Sequence, residues 1–196
     1  MLNWLSVKFS KIAKIKANLV SPDLYKTFLH IAPNNIEKAT GRLLECRTVE
    51  DDGIISDNHH FYQGQIIYSK IRPKLNKIVI ATFEGLCSAD MYPIETKLDS
   101  KYLWYFMLSN AFTKQIPDDN RVKMPKINKD ELEELKVTVP PKEEQREIVE
   151  YLDLKCTPCG INIKEPTDFI SMSFSVSPAL RGMAYIEEPI SISRCS

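Results

Sequence analysis

The chain has 196 residues, of which 43% are hydrophobic and 27% are charged, and its 26 basic residues balance its 26 acidic residues. This composition is typical of a soluble globular protein with one domain, or one domain and an appendage. No segment approaches the roughly 18 apolar residues of a membrane span. The first residues do not resemble a signal peptide, and five unevenly spaced cysteines argue against a disulfide framework. We therefore expect a cytoplasmic protein without membrane association.

The first half of the chain predicts short strands joined by loops. Residues 33–57 are polar and rich in turn formers, which predicts loops with short strands. Arg72-Pro73 prevents one continuous central strand in the segment that follows, because proline lacks the hydrogen-bond donor. Alternating, β-branched or aromatic residues predict strands near residues 5–9, 65–68, 77–83 and 87–94.

The second half of the chain adds helices. An apolar and aromatic stripe of helical period follows Asp99 and Ser100, either of which suits the N-cap position. Asn128 with Glu131 three residues later predicts a capping box for a further short helix. Residues 135–139 alternate as a strand, which the following Pro-Pro ends.

A last helix is predicted to begin at Pro141, which suits a first helical turn. Ile148, Tyr151 and Leu152 form an apolar stripe that needs a partner, either the body of the domain, a second copy or another protein. The stripe ends at Leu154, and the tail shows no sustained period. We therefore expect an α+β domain of mixed strands and short helices at 1–140, the start of a longer helix at 141–155, and a poorly structured tail at 156–196.

Basic residues are clustered although the net charge is zero. Residues 7–22, 64–83 and 121–129 contain lysines or arginines and no acidic residue. A neutral protein with segregated charge can present one basic face, which would suit phosphate groups. The alternative for any single run is ordinary solvated surface charge. The candidate binding residues are Lys70, Arg72, Lys74, Lys77, Arg121, Lys123 and Lys126.

The motifs of two enzyme classes are absent. The chain has only six glycines and lacks the glycine-rich loop and the Asn-Pro-Pro-aromatic motif that a methyltransferase needs. It also lacks the phosphate loop GxxxxGK[ST] of an ATP-driven motor. We therefore expect the chain to bind neither the cofactor of a methyltransferase nor ATP, and we assign no catalytic residue.

A metal-dependent nuclease is the most serious alternative. Glu95-Thr-Lys97 has the form of an acid and a lysine that hold Mg²⁺ and stabilise developing charge. Asp90, Asp57 or Asp23 could supply the second acid, but such a short triplet is expected by chance.

Two cysteines resemble half of a zinc site. Cys156 and Cys159 have the CxxC spacing, but a structural site needs four ligands and no second pair lies at the usual spacing. Loop thiols are the favoured interpretation, and no bound metal is expected.

Six segments resemble, in sequence and in order, parts of one known family. The run Gly64 to Val79, GQIIYSKIRPKLNKIV, is the most characteristic, and Val139 to Ile148, VPPKEEQREI, resembles the start of a conserved spacer helix. Together these segments resemble the target-recognition domain of the specificity subunit of type I restriction-modification systems. The six segments are residues 4–15, 31–41, 64–79, 85–90, 123–128 and 139–148.

The resemblance implies DNA recognition rather than catalysis. Members of the family carry two recognition domains, each followed by a long helix, and each domain reads one half of a split DNA target. Their partner modification subunits use S-adenosylmethionine and their restriction subunits use ATP and Mg²⁺, so the specificity subunit needs no cofactor. The implied partners are double-stranded DNA, the modification and restriction subunits, and a second copy of the chain.

Two departures from the family pattern affect this interpretation. The chain has one recognition domain, and its predicted spacer helix loses its stripe at Leu154, after about three turns. We therefore expect a half-length or truncated specificity subunit, with a non-functional remnant as a further alternative. In either form, lysines would neutralise phosphates, while Arg72 and Arg121 have the geometry for bidentate contacts to guanine.

Overall fold

The computed structural model describes residues 4–117 and 124–156. Strands and short helices are mixed along the chain, which confirms the predicted α+β class. The strands are β1 (Leu5–Lys8), β2 (Ala13–Ile15), β3 (Leu19–Val20), β4 (Leu29–Ile31), β5 (Asn58–Phe61), β6 (Ile66–Ser69), β7 (Ile78–Ile80), β8 (Gly85–Cys87), β9 (Met91–Thr96) and β10 (Lys136–Val139). The helices are α1 (Phe9–Ile12), α2 (Ser100–Leu108), α3 (Asn110–Thr113), α4 (Lys129–Glu134) and α5 (Lys142–Cys156).

The first sheet is antiparallel and has the strand order β2-β9-β6-β7. Its central strand β6 is buried on both faces. Ile66 and Tyr68 pack in the core that the helices cover, whereas Ile67 packs in the core on the opposite face. A strand buried on both sides has no solvent-facing positions, which is why Ile-Ile-Tyr is continuous rather than alternating.

The second sheet has the order β3-β5-β8-β4, with β4 and β8 parallel and the other pairs antiparallel. Ile31, Phe61 and Cys87 of this sheet share a core with Ile67 and Met91 of the first sheet. The first sheet therefore lies between the helices and the second sheet.

The single strand predicted over 87–94 is wrong. The chain turns after Cys87, with the Met91 amide donating to the Ser88 carbonyl at 2.8 Å, and β8 and β9 then join different sheets. Hydrophobic residues flank the turn on both sides, so they concealed it. The predicted strand at 77–83 is also shorter in the structure, where β7 spans Ile78–Ile80.

The predicted helix caps are confirmed. Asp99 caps α2, because its Oδ1 accepts from the amides of Lys101 and Tyr102 at 2.9 and 3.1 Å. Asn128 and Glu131 form the predicted capping box of α4, each side chain accepting from the other's backbone amide at 2.8 Å. These caps fix where both helices begin.

The loop at 33–57 packs on α2 through Gly41. Its φ is 72°, and a Cβ built there would lie 2.1 Å from the ring of Trp104. Only glycine fits this contact. Instead of the short strands expected in this loop, the structure has one 3₁₀ turn, Pro33–Asn35, and isolated bridges.

Candidate nucleic-acid interface

The loop between β6 and β7 holds an unusual backbone conformation. Arg72 has a left-handed φ of 45°, Pro73 begins a single 3₁₀ turn, and Asn76 ends it with a φ of 46°. For a residue such as arginine this conformation costs about 1–2 kcal/mol. It persists only where the surrounding structure fixes the backbone.

Hydrogen bonds from three directions fix this loop. The Arg72 amide donates to the Pro125 carbonyl at 2.7 Å. The buried side chain of Asn76 donates through Nδ2 to the Met107 carbonyl of α2 at 2.9 Å, and the Asn76 carbonyl accepts from the Ala39 amide at 3.3 Å. The loop is therefore anchored to three separate parts of the chain.

The structure brings the loop together with residues 125–127, in the later part of the other predicted basic segment. The Ile127 amide donates to the Lys70 carbonyl at 2.9 Å, and Ile71 and Lys126 form an isolated antiparallel bridge. The candidates Lys70, Arg72 and Lys126 are therefore neighbours across one short backbone pairing. The candidates Arg121 and Lys123 lie outside the described residues.

The Arg72 side chain is exposed. Among the residues that the structure describes, its guanidinium has no hydrogen-bond or ion-pair partner. Five N–H donors in a planar fork thus extend from a backbone that is itself held in place. This arrangement suits recognition of a planar acceptor pair such as a base edge.

The carboxylate of Asp90 lies between two of the basic candidates. Its Oδ1 is 3.2 Å from the Lys126 Nζ and 3.9 Å from the Lys70 Nζ, and the Lys70 ammonium also lies 5.5 Å from the centre of the Tyr92 ring. The sequence suggested Asp90 only as a possible metal ligand. Its observed role is to orient two lysines and offset part of their charge.

The two other lysines of the β6–β7 loop bind backbone carbonyls. The Lys74 Nζ donates to the Thr113 carbonyl of α3 at 3.3 Å, and Lys74 is exposed. The Lys77 Nζ donates to the Pro33 carbonyl at 2.6 Å, and Lys77 is half-buried. Lys77 therefore ties the loop to the 3₁₀ turn at Pro33–Asn35.

His59 also lies near this basic group, although no sequence motif marks it as a site residue. The side chain on β5 is 5% exposed, and its buried Nδ1 has no hydrogen-bond partner among the described residues. Burial lowers the pKa of His59, and the positive charge of Lys70 lowers it further. The sequence shows only that His59 and His60 are adjacent, so that their side chains face opposite sides of a strand. That pattern does not indicate that His59 lies near Lys70.

The nuclease candidate does not form an acidic cluster. Glu95 lies 2.9 Å from the Lys16 ammonium and accepts a hydrogen bond from Gln65 at 3.0 Å. The hydrogen bond from Lys16 is the main reason why the pKa of Glu95 is lowered. The Lys97 Nζ makes only a long contact, 3.5 Å, to the Lys11 carbonyl. Within residues 4–117 and 124–156, no group of three potential metal ligands is present.

Helix α5 packs its apolar stripe against the domain itself. Ile148 and Leu152 are buried in a cluster with Tyr102 and Tyr105 of α2, and Tyr151 packs at its edge. Of the three partners that the sequence left open for this stripe, the body of the domain covers Ile148 and Leu152.

Polar contacts reinforce this docking. The buried Gln145 accepts from the Asp99 amide at 3.1 Å and donates to the Pro140 carbonyl at 2.9 Å. At the other end, Asp153 accepts from Lys101 at 2.6 Å and from the Tyr105 hydroxyl at 2.8 Å. These contacts fix the direction in which α5 leaves the domain.

Some expectations concern residues beyond this site. The side chains of Cys156 and Cys159 and the predicted tail at 156–196 lie outside what the structure describes, apart from the backbone of Cys156. Among the described helices, none has the length and apolar character needed to cross a membrane.

Comparison with known proteins places this geometry in a family. A sequence profile described as "Type I restriction modification DNA specificity domain" matches residues 8–154. The type I restriction enzyme EcoDI specificity subunit of Escherichia coli is 47% identical over 152 residues, which are 77% of this chain and 34% of that protein.

Two solved structures share the fold at low sequence identity. The HsdS subunit of Thermoanaerobacter tengcongensis has a TM-score of 0.65 at 17% identity, covering 79% of this chain and 42% of that one. The type I restriction-modification S subunit of M. genitalium has a TM-score of 0.54 at 14% identity, covering 78% and 39%. The chain thus spans about a third of the curated relative's length. It belongs to the family of type I restriction modification DNA specificity domains.

Proposed function

We propose that this chain reads one half of a split double-stranded DNA target as the specificity component of a type I restriction-modification assembly. The observation that carries the proposal is Arg72, whose guanidinium is exposed and without a partner among the described residues, on a loop that is hydrogen-bonded to three other parts of the chain. The chain acts by recognition and requires no cofactor of its own.

The chemistry of the interface suits duplex DNA. The guanidinium of Arg72 matches the O6 and N7 acceptors of guanine in the major groove. Lys70, Lys74 and Lys126 neutralise phosphates and set the register of the duplex, with Arg121 and Lys123 extending the basic segment. Lys77 contributes less than Lys74, because it is half-buried and its ammonium is bound to the Pro33 carbonyl at 2.6 Å.

Residues 1–140 form the recognition domain in this proposal, and 141–155 form the start of the spacer helix. The contacts of Gln145 and Asp153 let α5 present the domain to modification and restriction subunits in one orientation. Self-association through α5 would depend on Tyr151 and on Leu154, which is 75% exposed. Burying two such side chains contributes too little to overcome an association cost of about 4–15 kcal/mol. The isolated chain is therefore mainly monomeric at micromolar concentration.

Arg72→Ala tests the proposal. A target duplex is first selected from a random-sequence pool with the wild-type protein, and its affinity is compared with that of a scrambled duplex. The substitution should remove about 1–3 kcal/mol of discrimination between the two duplexes, because a bidentate base contact is lost. Neutralising Lys70 and Lys126 together should instead weaken both complexes alike.

Arg47→Ala is the matched control, because Arg47 is also exposed but lies near His30 of the second sheet. It should leave both affinities unchanged. The proposal is wrong if the wild-type protein selects no duplex, or if neutralising Arg72 and the neighbouring lysines leaves binding unaffected.

A further inference from the structure

A small cavity of about 210 Å³ lies beside the Arg72 loop. Lys74 and Asn76 line it from the β6–β7 loop, and Thr113 and Lys114 line it from the end of α3. Its described lining residues include two lysines and no carboxylate. The charge of this lining favours an anion.

The two lysines approach the same end of α3. The Lys74 Nζ donates to the Thr113 carbonyl at 3.3 Å, and Lys114 is the next residue along the chain. Lys114 is exposed, and its ammonium has no hydrogen-bond or ion-pair partner among the described residues. An anion bound beside the exposed Lys114 ammonium lowers the electrostatic energy of that charge.

The wall of the cavity also contains a buried polar group with spare capacity. Asn76 is 2% exposed, and its Nδ2 donates to the Met107 carbonyl. Its Oδ1 is buried and has no partner among the described atoms. Buried acceptors of this kind are rare in native proteins and are usually satisfied by ordered water. Leaving this acceptor unsatisfied is a further cost that the fold meets in holding the Asn76 turn in place beside the cavity.

Backbone strain is concentrated at the same place. Within the described part of the chain, the non-glycine residues with positive φ are Ala39, Arg72 and Asn76. Ala39 and Asn76 both line the cavity and are joined by a backbone hydrogen bond, and Arg72 begins the turn that Asn76 ends. Strained conformations cluster at sites that bind ligands, because binding requires a preset geometry.

From these observations we infer that the cavity binds a phosphodiester group of the DNA backbone, with Lys114 as a direct contact and Lys74 beside it. The inference rests on the proposed function. It adds Lys114 to the interface and gives the site a role in register, because a phosphate held here fixes the distance from the backbone to Arg72. Phosphate contacts position a protein on DNA, and base contacts then read the sequence.

Lys114→Ala tests the inference with a random-sequence duplex and with the selected target. Affinity should fall several-fold for both duplexes alike, and the slope of log affinity against log salt should become shallower by about 1. Lys114→Arg should retain most of the affinity because it keeps the positive charge. Lys26→Ala is the matched control, since Lys26 is also an exposed lysine but follows Tyr25 beside the second sheet.

Ethylation interference on the selected duplex locates the contact. At least one phosphate whose ethylation weakens the wild-type complex should cease to matter in Lys114→Ala. An unchanged interference pattern, or an unchanged salt slope, would overturn the inference even if Arg72→Ala still loses discrimination. If the wild-type protein binds no duplex at all, the proposed function itself fails. Thermal melting of each variant confirms that the exposed substitution leaves the fold intact.

Discussion

The two four-stranded sheets carry their charges in opposite ways. At the end of the first sheet, Lys70 and Lys126 share the single carboxylate of Asp90, and Arg72 has no acidic partner among the described residues. On the second sheet, each histidine of one face has its own carboxylate. Positive charge is therefore in excess at the first place, whereas carboxylates neighbour the histidines at the second.

The surroundings of the second sheet are acidic. Segments 21–28, 45–63 and 82–84 carry seven carboxylates against two basic residues, Lys26 and Arg47. The zero net charge of the chain thus conceals two surfaces of opposite sign, and only the basic one suits a polyanion. The acidic surface would repel a duplex, which restricts how DNA approaches.

The largest expected effect comes from the core that joins the two sheets. Phe61 of β5 is fully buried, its ring lies 5.7 Å from that of Phe83, and a Cβ built on Gly85 would lie 2.8 Å from it. Phe61→Ala should lower the free energy of unfolding by about 3–5 kcal/mol, because it leaves a cavity between the sheets. Chemical denaturation measures this loss.

Leu24→Ala provides the control, since Leu24 is 86% exposed and should change stability by less than about 0.5 kcal/mol. Where Phe61→Ala remains folded, the salt dependence of its DNA binding should match that of the wild type. A changed slope would show that the second sheet takes part in phosphate contact, and the contrast between the surfaces would then be incorrect.

A smaller effect, on DNA affinity, is expected from Asp90→Asn, which tests the charge difference between the two surfaces. The substitution removes the carboxylate that lies 3.2 Å from Lys126 and 3.9 Å from Lys70. Both ammonium groups then become more available to phosphates. Affinity for a random-sequence duplex should rise several-fold, and its salt slope should steepen by about 1. Fluorescence anisotropy across a salt series measures both quantities.

Glu84→Gln is the matched control on the second sheet, where Glu84 pairs with His60 at 2.8 Å. It should leave DNA affinity unchanged, because the carboxylate lies away from the basic residues. Equal gains in Asp90→Asn and Glu84→Gln would indicate that only overall charge matters. The distinction between the two surfaces would then be lost.

Patterns local in sequence predicted their features well. The caps at Asp99 and Asn128 depend on residues two or three positions apart, and both are confirmed. The family resemblance also follows from contiguous segments. Strand pairing depends on distant residues and was not accessible: β8 and β9 lie on either side of the turn at Ser88 but join different sheets.

In the candidate site, too, local sequence patterns predicted some features, while contacts between distant residues determined the others. Runs of basic residues identified Lys70, Arg72 and Lys126, but not that Asp90 lies between two of them. Lys77 belongs to the same run, yet its ammonium binds the Pro33 carbonyl 44 positions away. Charge clustering in a sequence therefore locates a basic surface, while the tertiary fold decides which cations remain available.

The three histidines of the second sheet show the same contrast in their charged neighbours. The Nδ1 of His30 lies 3.0 Å from Asp52, and the Nε2 of His60 lies 2.8 Å from Glu84. His59 instead lies near Lys70, and within the described part of the chain its buried Nδ1 has no partner. Protonation of His59 is therefore opposed by burial and by a neighbouring positive charge, and both lower its pKa in the folded protein.

The sign of the resulting pH dependence follows from linkage. The pKa of His59 is lower in the folded protein than in the unfolded chain, so the unfolded chain binds more protons as the pH falls through about 6.5. The stabilisation from keeping His59 neutral is thus fully present above that pH and declines below it. Wild-type stability should fall more steeply between pH 7.5 and 5.5 than that of His59→Gln, by at most about 1.4 kcal/mol for each unit of pKa difference. Urea denaturation across this range measures the difference between the two proteins. Parallel pH profiles would show that His59 has the same pKa in the folded and unfolded states. In that case neither burial nor the charge of Lys70 lowers it.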